Sequence, residues 1–204
     1  MATLLPNALT TLADVKETLG IASSDTTRDN LIIRQINSAT ETIEKYTGRK
    51  FMLTTYTNEE YDATNTDQLI LKHNPVTTFT TLEVRDTALN MSDWETVDSE
   101  LYFVDYSAGV LDLIFHATGR WNRYRATYSA GYATIPSDIQ EACVSLAAFN
   151  VANPSVDAQV RKKQEGSRSI EYFDTSNSKS SIFDQLGLLD VLNSYCDMPI
   201  LADK

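Results

Sequence analysis

The stretch ATYSAGYATIPSDIQEA, residues 126–142, changes character at its middle, and its reading decides the fold. Up to Tyr132 it looks like the end of a strand followed by a turn. From Pro136 it looks like a helix start, because the N–H that proline lacks would be unpaired at the first helical position anyway. Gly131 permits the sharp turn, and Ile135 is placed to staple against the helix that Pro136 opens. A β-rich region therefore precedes residue 135 and a helical region follows it.

Upstream of this seam, residues 51–134 carry a period of two. Segments around 51–57, 68–72, 78–86, 101–105, 110–115 and 121–128 read as short strands separated by Asn, Asp, Gly or Pro. Asn74-Pro75 and Ala108-Gly109 are turn signals. YSAG occurs at 106–109 and 128–131, which reads as two glycine turns after a strand-ending tyrosine rather than a repeat. Further upstream, Thr11-Leu12-Ala13-Asp14 has the form of a capping box, and Gly20 stops the helix it opens. A second helix is expected from Asp25-Thr26-Thr27 to a C-cap at Gly48. Ile32, Ile36, Ala39, Ile43 and Tyr46 form its apolar stripe.

Downstream, Ile139, Ala142, Cys143, Leu146, Ala147 and Asn150 fall on one face of a helix ending near Asn153-Pro154. A polar helical stretch to Glu165-Gly166 is expected next, then an extended piece at 168–173 and a Ser-rich linker at 175–179. A last helix capped by Ser180 or Ser181 carries Ile182, Leu186, Leu189 and Leu192. The fold class expected is α+β. A discontinuous helical domain, 1–50 with 135–204, holds an inserted antiparallel sheet or sandwich at 51–134, and 168–173 forms a short extended arm.

The 204 residues carry a formal charge of −11 that is unevenly spread: residues 1–50 are neutral, 51–135 carry −7 and 136–204 carry −4. Between Arg85 and Arg120 there is no Lys or Arg, while Asp86, Asp93, Glu95, Asp98, Glu100, Asp105 and Asp112 all fall there. Affinity for nucleic acid comes mainly from neutralising phosphates, so this balance excludes a protein that grips DNA but not one that sits beside it. There is no basic leader followed by an apolar run, and no run near the roughly 20 residues of a membrane helix, so synthesis in the cytoplasm and no membrane contact are expected. Cys143 and Cys196, far apart and outside any CxxC, read as reduced core residues.

The chain has no Walker A, GxGxxG, GxSxG or HExxH pattern, so no enzyme, cofactor or metal is expected. His73 and His116 are isolated and read as structural. Glu59-Glu60 with Asp62 resembles a hydrolase pair but, in this acidic context, reads as solvated surface. Arg120-Trp121-Asn122-Arg123-Tyr124-Arg125 interleaves cations and aromatics, as single-strand binders do; pairing of those arginines with acids across a sheet explains it equally well. Arg161-Lys162-Lys163 is expected to end a polar helix, where cations offset the helix dipole.

Three stretches in order carry a family likeness: LADVKETLGI with DNLIIRQINSATETIEKYTGRKF, then ATYSAGYATIPSDIQEACVSLAAF, then RKKQEGSRSIEY before a terminal helix. Together they resemble the head–tail connector (adaptor, or head-completion) proteins of long-tailed bacteriophages, in the longer form with a β-insertion. The resemblance implies a virion protein made in the host cytoplasm. It implies a homo-oligomeric, dodecameric ring docked below the portal, extending the DNA channel without sequence-specific binding and meeting a downstream stopper or tail-terminator protein. The seven acids from Asp86 to Asp112 are then candidates for the channel or the ring exterior. Arg161, Lys162, Lys163, Arg168, Ile170, Tyr172 and Phe173 are candidates for a portal or subunit interface, on the expectation that a lone apolar strand needs a partner's edge. The alternatives are a tail-side completion or terminator ring, and a cytoplasmic enzyme with an unrecognised site.

Overall fold

Helix α1 (Leu12–Thr18) begins at the expected capping box: the Asp14 N–H donates to the Thr11 hydroxyl (3.3 Å) and the Thr11 N–H to the Asp14 carboxylate (3.2 Å). The computed structural model describes residues 2–62, 66–86, 94–114, 122–153, 162–165, 168–171 and 180–196. The chain divides into two compact units, Arg49–Thr134 and Met1–Gly48 with Ile135–Lys204.

In the helical unit, α2 (Asp29–Thr47) buries Ile32, Ile36, Ala39 and Ile43, and it ends at Gly48 with a left-handed φ of 74°. It starts four residues after Asp25 because the preceding loop is tied down. The Asp25 carboxylate accepts from the Thr27 N–H and hydroxyl, and the buried Lys16 ammonium donates to the Ser23 and Asp25 carbonyls while pairing with Asp29. A polar stripe on α2 was not anticipated. Asn30, Asn37, Thr40 and Glu44 bond the segment 2–10: Ala2 N–H to Asn30 Oδ1 (2.8 Å), Leu5 N–H to Asn37 Oδ1 (3.0 Å), Asn37 Nδ2 to the Thr3 carbonyl (2.9 Å), Asn7 Nδ2 to Glu44 (3.0 Å) and Leu9 N–H to the Thr40 hydroxyl (3.2 Å).

Helix α3 (Ser137–Ala152) buries Ile139, Ala142, Cys143, Leu146 and Ala147 on the anticipated face, but also Val144, Ala148 and Val151. A helix apolar nearly all round needs neighbours on several sides, and α1, α2 and α5 (Leu189–Tyr195) all pack against it. Pro136 is its N-cap rather than its first residue; with ψ at 138° its own backbone is extended, while its carbonyl accepts the Gln140 N–H (3.0 Å). The C-terminal region departs from a single helix. It forms α4 (Ser180–Gln185) and α5, separated by Gly187 at φ 67°, where the Gly187 N–H bonds Asp184 and the Leu188 N–H reaches Phe183 in a Schellman closure. Phe183, Leu188 and Leu192 are buried, and the Tyr46 hydroxyl donates to Asn193 (2.7 Å).

The β unit is a sandwich of antiparallel sheets over one core. Strands β1 (Thr54–Asp62), β7 (Asn122–Ala130), β3 (Val76–Asp86) and β4 (Glu95–Thr96) form one sheet in that order. Strands β2 (Gln68–Ile70), β6 (Val110–Leu113) and β5 (Tyr102–Asp105) form the other. Leu69, Leu111 and Leu113 from the small sheet share a buried cluster with Tyr61, Leu82, Tyr124, Ala126 and Tyr128 from the large one. Each such side chain stabilises by about 1.5–3 kcal/mol on leaving water.

Two irregularities position the side chains. Between Tyr56 and Glu59 the β1–β7 register shifts, with Asn58 at φ 54°, and the shift reverses the strand's phase so that Tyr56, Glu59 and Tyr61 all turn inward. At the seam, Gly131 (φ 109°) lies so close to the Met52–Leu53 backbone that a Cβ there would come 2.6 Å from the Met52 carbonyl oxygen. The Tyr132 N–H donates to Phe51 (2.8 Å) and the Gly131 N–H to Pro75 (2.9 Å), across a chain whose Asn74-Pro75 peptide is cis.

Candidate functional site

Lys162–Glu165, expected to be helical, is instead strand β8, paired antiparallel with β9 (Arg168–Glu171). Register places Lys162 opposite Glu171, Lys163 opposite Ile170 and Glu165 opposite Arg168. Lys162 and Lys163 therefore do not end a helix, and the extended piece at 168–171 is not a lone strand but half of a hairpin. The turn signal Gly166-Ser167 was the sequence clue to it. Arg161, Tyr172 and Phe173 lie outside the described residues.

Of the seven acids, Glu95, Asp98, Glu100, Asp105 and Asp112 are exposed. Asp86 ends β3, and Asp93 lies outside the described residues. Three of the exposed acids have local work. Asp98 accepts from the Glu100 N–H (3.1 Å), and Asp112 accepts from Gln68 Nε2 (2.8 Å). Asp105 accepts the backbone N–H groups of Ala108 and Ser107 together with the Ser107 hydroxyl, and these bonds hold its carboxyl below its ordinary pKa.

These acids are interleaved with exposed apolar side chains, which the charge pattern alone concealed. Strand alternation in the small sheet sends Leu69, Leu111 and Leu113 into the core and leaves an outer face built in rows. The rows are Leu101 beside Ile114; Phe103, Asp112 and Gln68; and Asp105, Val110 and Ile70. Phe103 is 68% exposed, Ile114 58%, Ile70 48% and Leu101 42%. The clue was LYFVD at 101–105, where apolar residues occupy both phases of a two-residue period.

The Arg-aromatic motif resolves into sheet-face pairing. Arg125 makes a two-pronged bond to Glu83 (2.6 and 2.9 Å), holding that carboxyl below its usual range, and lies 4.7 Å from the Trp94 ring centroid, as does Arg85. Arg123 pairs with Glu60 and Asp62 (both 3.4 Å), while Tyr124 is buried. Arg120 and Trp121, like His116, lie outside the described residues.

Glu59 departs from the surface role expected for it. Turned inward by the bulge, its carboxylate accepts the Tyr128 (2.6 Å) and Tyr61 (2.7 Å) hydroxyls, with Lys72 and His73 each at 3.6 Å. Burial pushes the Glu59 carboxyl up, but the two hydroxyls and the cations outweigh it and hold it below its ordinary value. Burial, and then the bonds to Glu59, push Tyr128 far up; burial likewise raises Tyr61. His73 stacks on Tyr56 (3.9 Å), so this cluster staples β1, β7 and the segment after β2 together. Buried Cys143, its thiol pushed up to about 11 by burial, lies beside the Thr40 hydroxyl rather than a base.

A concavity of about 480 Å³ in the helical unit includes Asp14, Glu17 and Glu141 in its lining, but Asp14 is committed to the capping box and neither His nor Cys lines it. Among the described residues no group of His, Cys, Asp and Glu is placed to hold a metal, and no helix is long and apolar enough to cross a membrane.

A discontinuous helical unit and a β-sandwich inserted into it make up the described chain. The chain matches the family described as Head completion protein over residues 8–163, and it belongs to that family. It is also similar in fold to chains in three solved structures, each covering 98% of this chain and 96% of the other. They are the neck of an empty GTA particle computed with C6 symmetry (TM-score 0.55, 16% identity), the virion of a native gene transfer agent particle (0.56, 16%) and the neck of a native GTA particle computed with C12 symmetry (0.56, 17%). Comparison with curated proteins returns no match.

Proposed function

We propose that this chain forms a dodecameric ring at the head–tail junction of a virion, below the portal, extending the DNA channel and offering a platform to the next tail component. Family membership carries the reading. A near-complete likeness in fold to a chain of a neck computed with C12 symmetry supports the copy number. Charge supports the channel: twelve copies at −11 sum to roughly −130, and an acidic lumen repels phosphates so that DNA slides instead of sticking. The arginines that would have offered a phosphate grip are already paired with Glu83, Glu60 and Asp62.

In this reading the exposed acids between Asp86 and Asp112 face the channel or the ring exterior, and the hairpin bearing Lys162, Lys163, Arg168 and Ile170 docks on the portal or on a neighbouring subunit. The test is imaging of particles made with and without the protein. Twelvefold density between portal and tail, and packed heads that lose their DNA without it, are expected. Tailed, full heads in its absence would overturn the proposal. For the hairpin, Lys162→Glu with Lys163→Glu is preferable to deleting residues 161–204, because deletion strips Phe183 and Leu192 from the helical core. Portal binding that survives the charge reversal would remove the hairpin from the interface.

A further inference from the structure

The outer face of the small sheet is the largest unexplained feature of the β unit. Its three rows align Phe103, Ile114, Leu101, Ile70 and Val110 on one side of β5, β6 and β2. Folding alone does not require this, because the opposite face already supplies Leu69, Leu111 and Leu113 to the core. Scattered exposed apolar residues are ordinary, but a contiguous set on a flat sheet marks an interaction surface. Phe103, at 68% exposed, is the kind of aromatic anchor that dominates interface energetics.

Charge narrows the occupant. Both charged side chains within the rows, Asp105 and Asp112, are carboxylates, and Asp98 and Glu100 adjoin Leu101. The cation next along the chain, Lys72, is directed to Glu59 (3.6 Å) and to the Glu60 carbonyl (3.1 Å). Two copies meeting through this same face would set Asp105 and Asp112 against one another's like, which is unfavourable where water is excluded. A nucleic acid is repelled for the same reason.

We infer that this face docks a different protein of the particle, one presenting an apolar patch rimmed by Lys or Arg. The inference rests on the neck reading and selects the ring exterior, not the channel, for Asp105 and Asp112. Phe103 and Ile114 enter the partner's apolar patch while the two aspartates meet its cations. Both carboxylates are held in place beforehand, Asp105 by its turn and Asp112 by Gln68, so little ordering is left for the moment of docking.

The test places the photo-crosslinking residue p-benzoylphenylalanine at position 103, in chains assembled into particles, and identifies adducts by mass spectrometry. Cross-links to another particle protein, on a segment carrying Lys or Arg among apolar residues, are expected. In parallel, Phe103→Asp with Ile114→Asp should leave the urea midpoint of the purified chain unchanged and lower the yield of complete particles about tenfold or more. Adducts confined to copies of this chain or to DNA would overturn the inference, as would no adduct from chains present in particles. A chain absent from purified particles would instead overturn the neck reading, which keeps the two failures distinct.

Discussion

Replacing Gly131 by Ala tests the seam between strand and helix. At φ 109° any L side chain is strained, by about 1–3 kcal/mol. The added Cβ would also lie 2.6 Å from the Met52 carbonyl oxygen, 2.8 Å from its carbon and 3.0 Å from Leu53 Cα, all backbone atoms with no rotamer to yield. Relieving the overlap moves residues 51–53 away from Tyr132 and weakens the bonds from Tyr132 N–H to Phe51 (2.8 Å) and from Leu53 N–H to Tyr132 (3.3 Å). Each such bond contributes about 0.5–1.5 kcal/mol. Strain and lost bonds together give about 2–6 kcal/mol, a large fraction of the stability of an ordinary domain.

Both tryptophans of the chain fall within Arg49–Thr134, so their fluorescence follows the β unit, while far-UV circular dichroism follows the helices. With a urea m-value of about 1–1.5 kcal/mol/M, the fluorescence midpoint should fall by roughly 1.3 M or more. A midpoint within 0.5 M or so of the parent would mean the seam yields freely, and the close-approach argument would be wrong.

Three further outcomes are expected. The folded-state carboxyl of Glu59 titrates below its ordinary value, so its stabilisation is complete above about pH 4.5 and is lost as pH falls through the lowered value; Glu59→Gln should destabilise the β unit by about 1–3 kcal/mol at pH 7 and flatten the acid limb of its stability curve, and an unchanged limb would count against the cluster. Asn37→Ala removes two bonds to the segment 2–10 and should speed amide exchange at Leu5 about tenfold while leaving the buried strands of the β unit protected; unaltered exchange at Leu5 would refute the strap. Tyr124 has a buried hydroxyl with no hydrogen-bond partner among the described residues, so Tyr124→Phe should leave thermal stability unchanged or raise it by about 1 kcal/mol, and a clear loss would reveal a partner.

Local chemistry was legible wherever a signal is complete within a few residues. The capping box at Thr11, the stripe from Ile32 to Ile43 with Gly48 behind it, and the seam at Gly131 all rest on contacts close in sequence or on one residue's allowed dihedrals. Features that depend on distant partners were not legible. The burial of Val144, Ala148 and Val151 on α3 comes from neighbours that its own periodicity cannot name. Glu59 turns inward because a bulge shifts phase, and nothing in Thr57-Asn58 fixes on which side of the bulge the count resumes. Counting acids across 86–112 obscured the sheet face, because net charge averages over both sides of a strand while exposure does not. The family likeness drew on the order of the pieces along the chain, which is why it survived errors in individual boundaries.

Helices α2 and α3 share one compact unit although the whole of Arg49–Thr134 lies between them in the chain. On a ribosome, the stripe of Ile32, Ile36 and Ile43 therefore emerges long before Ile139 and Leu146, which lie on the helix that packs against it. At about 5–20 residues per second, the delay is roughly 4–17 s, far longer than a helix or a collapsed sheet needs to form. The β unit has time to fold to completion while the first two helices wait with an apolar side uncovered. Birth of this protein thus includes an interval in which its first helices depend on chaperones or on transient contacts, and a nascent chain arrested just past Thr134 should be the aggregation-prone species.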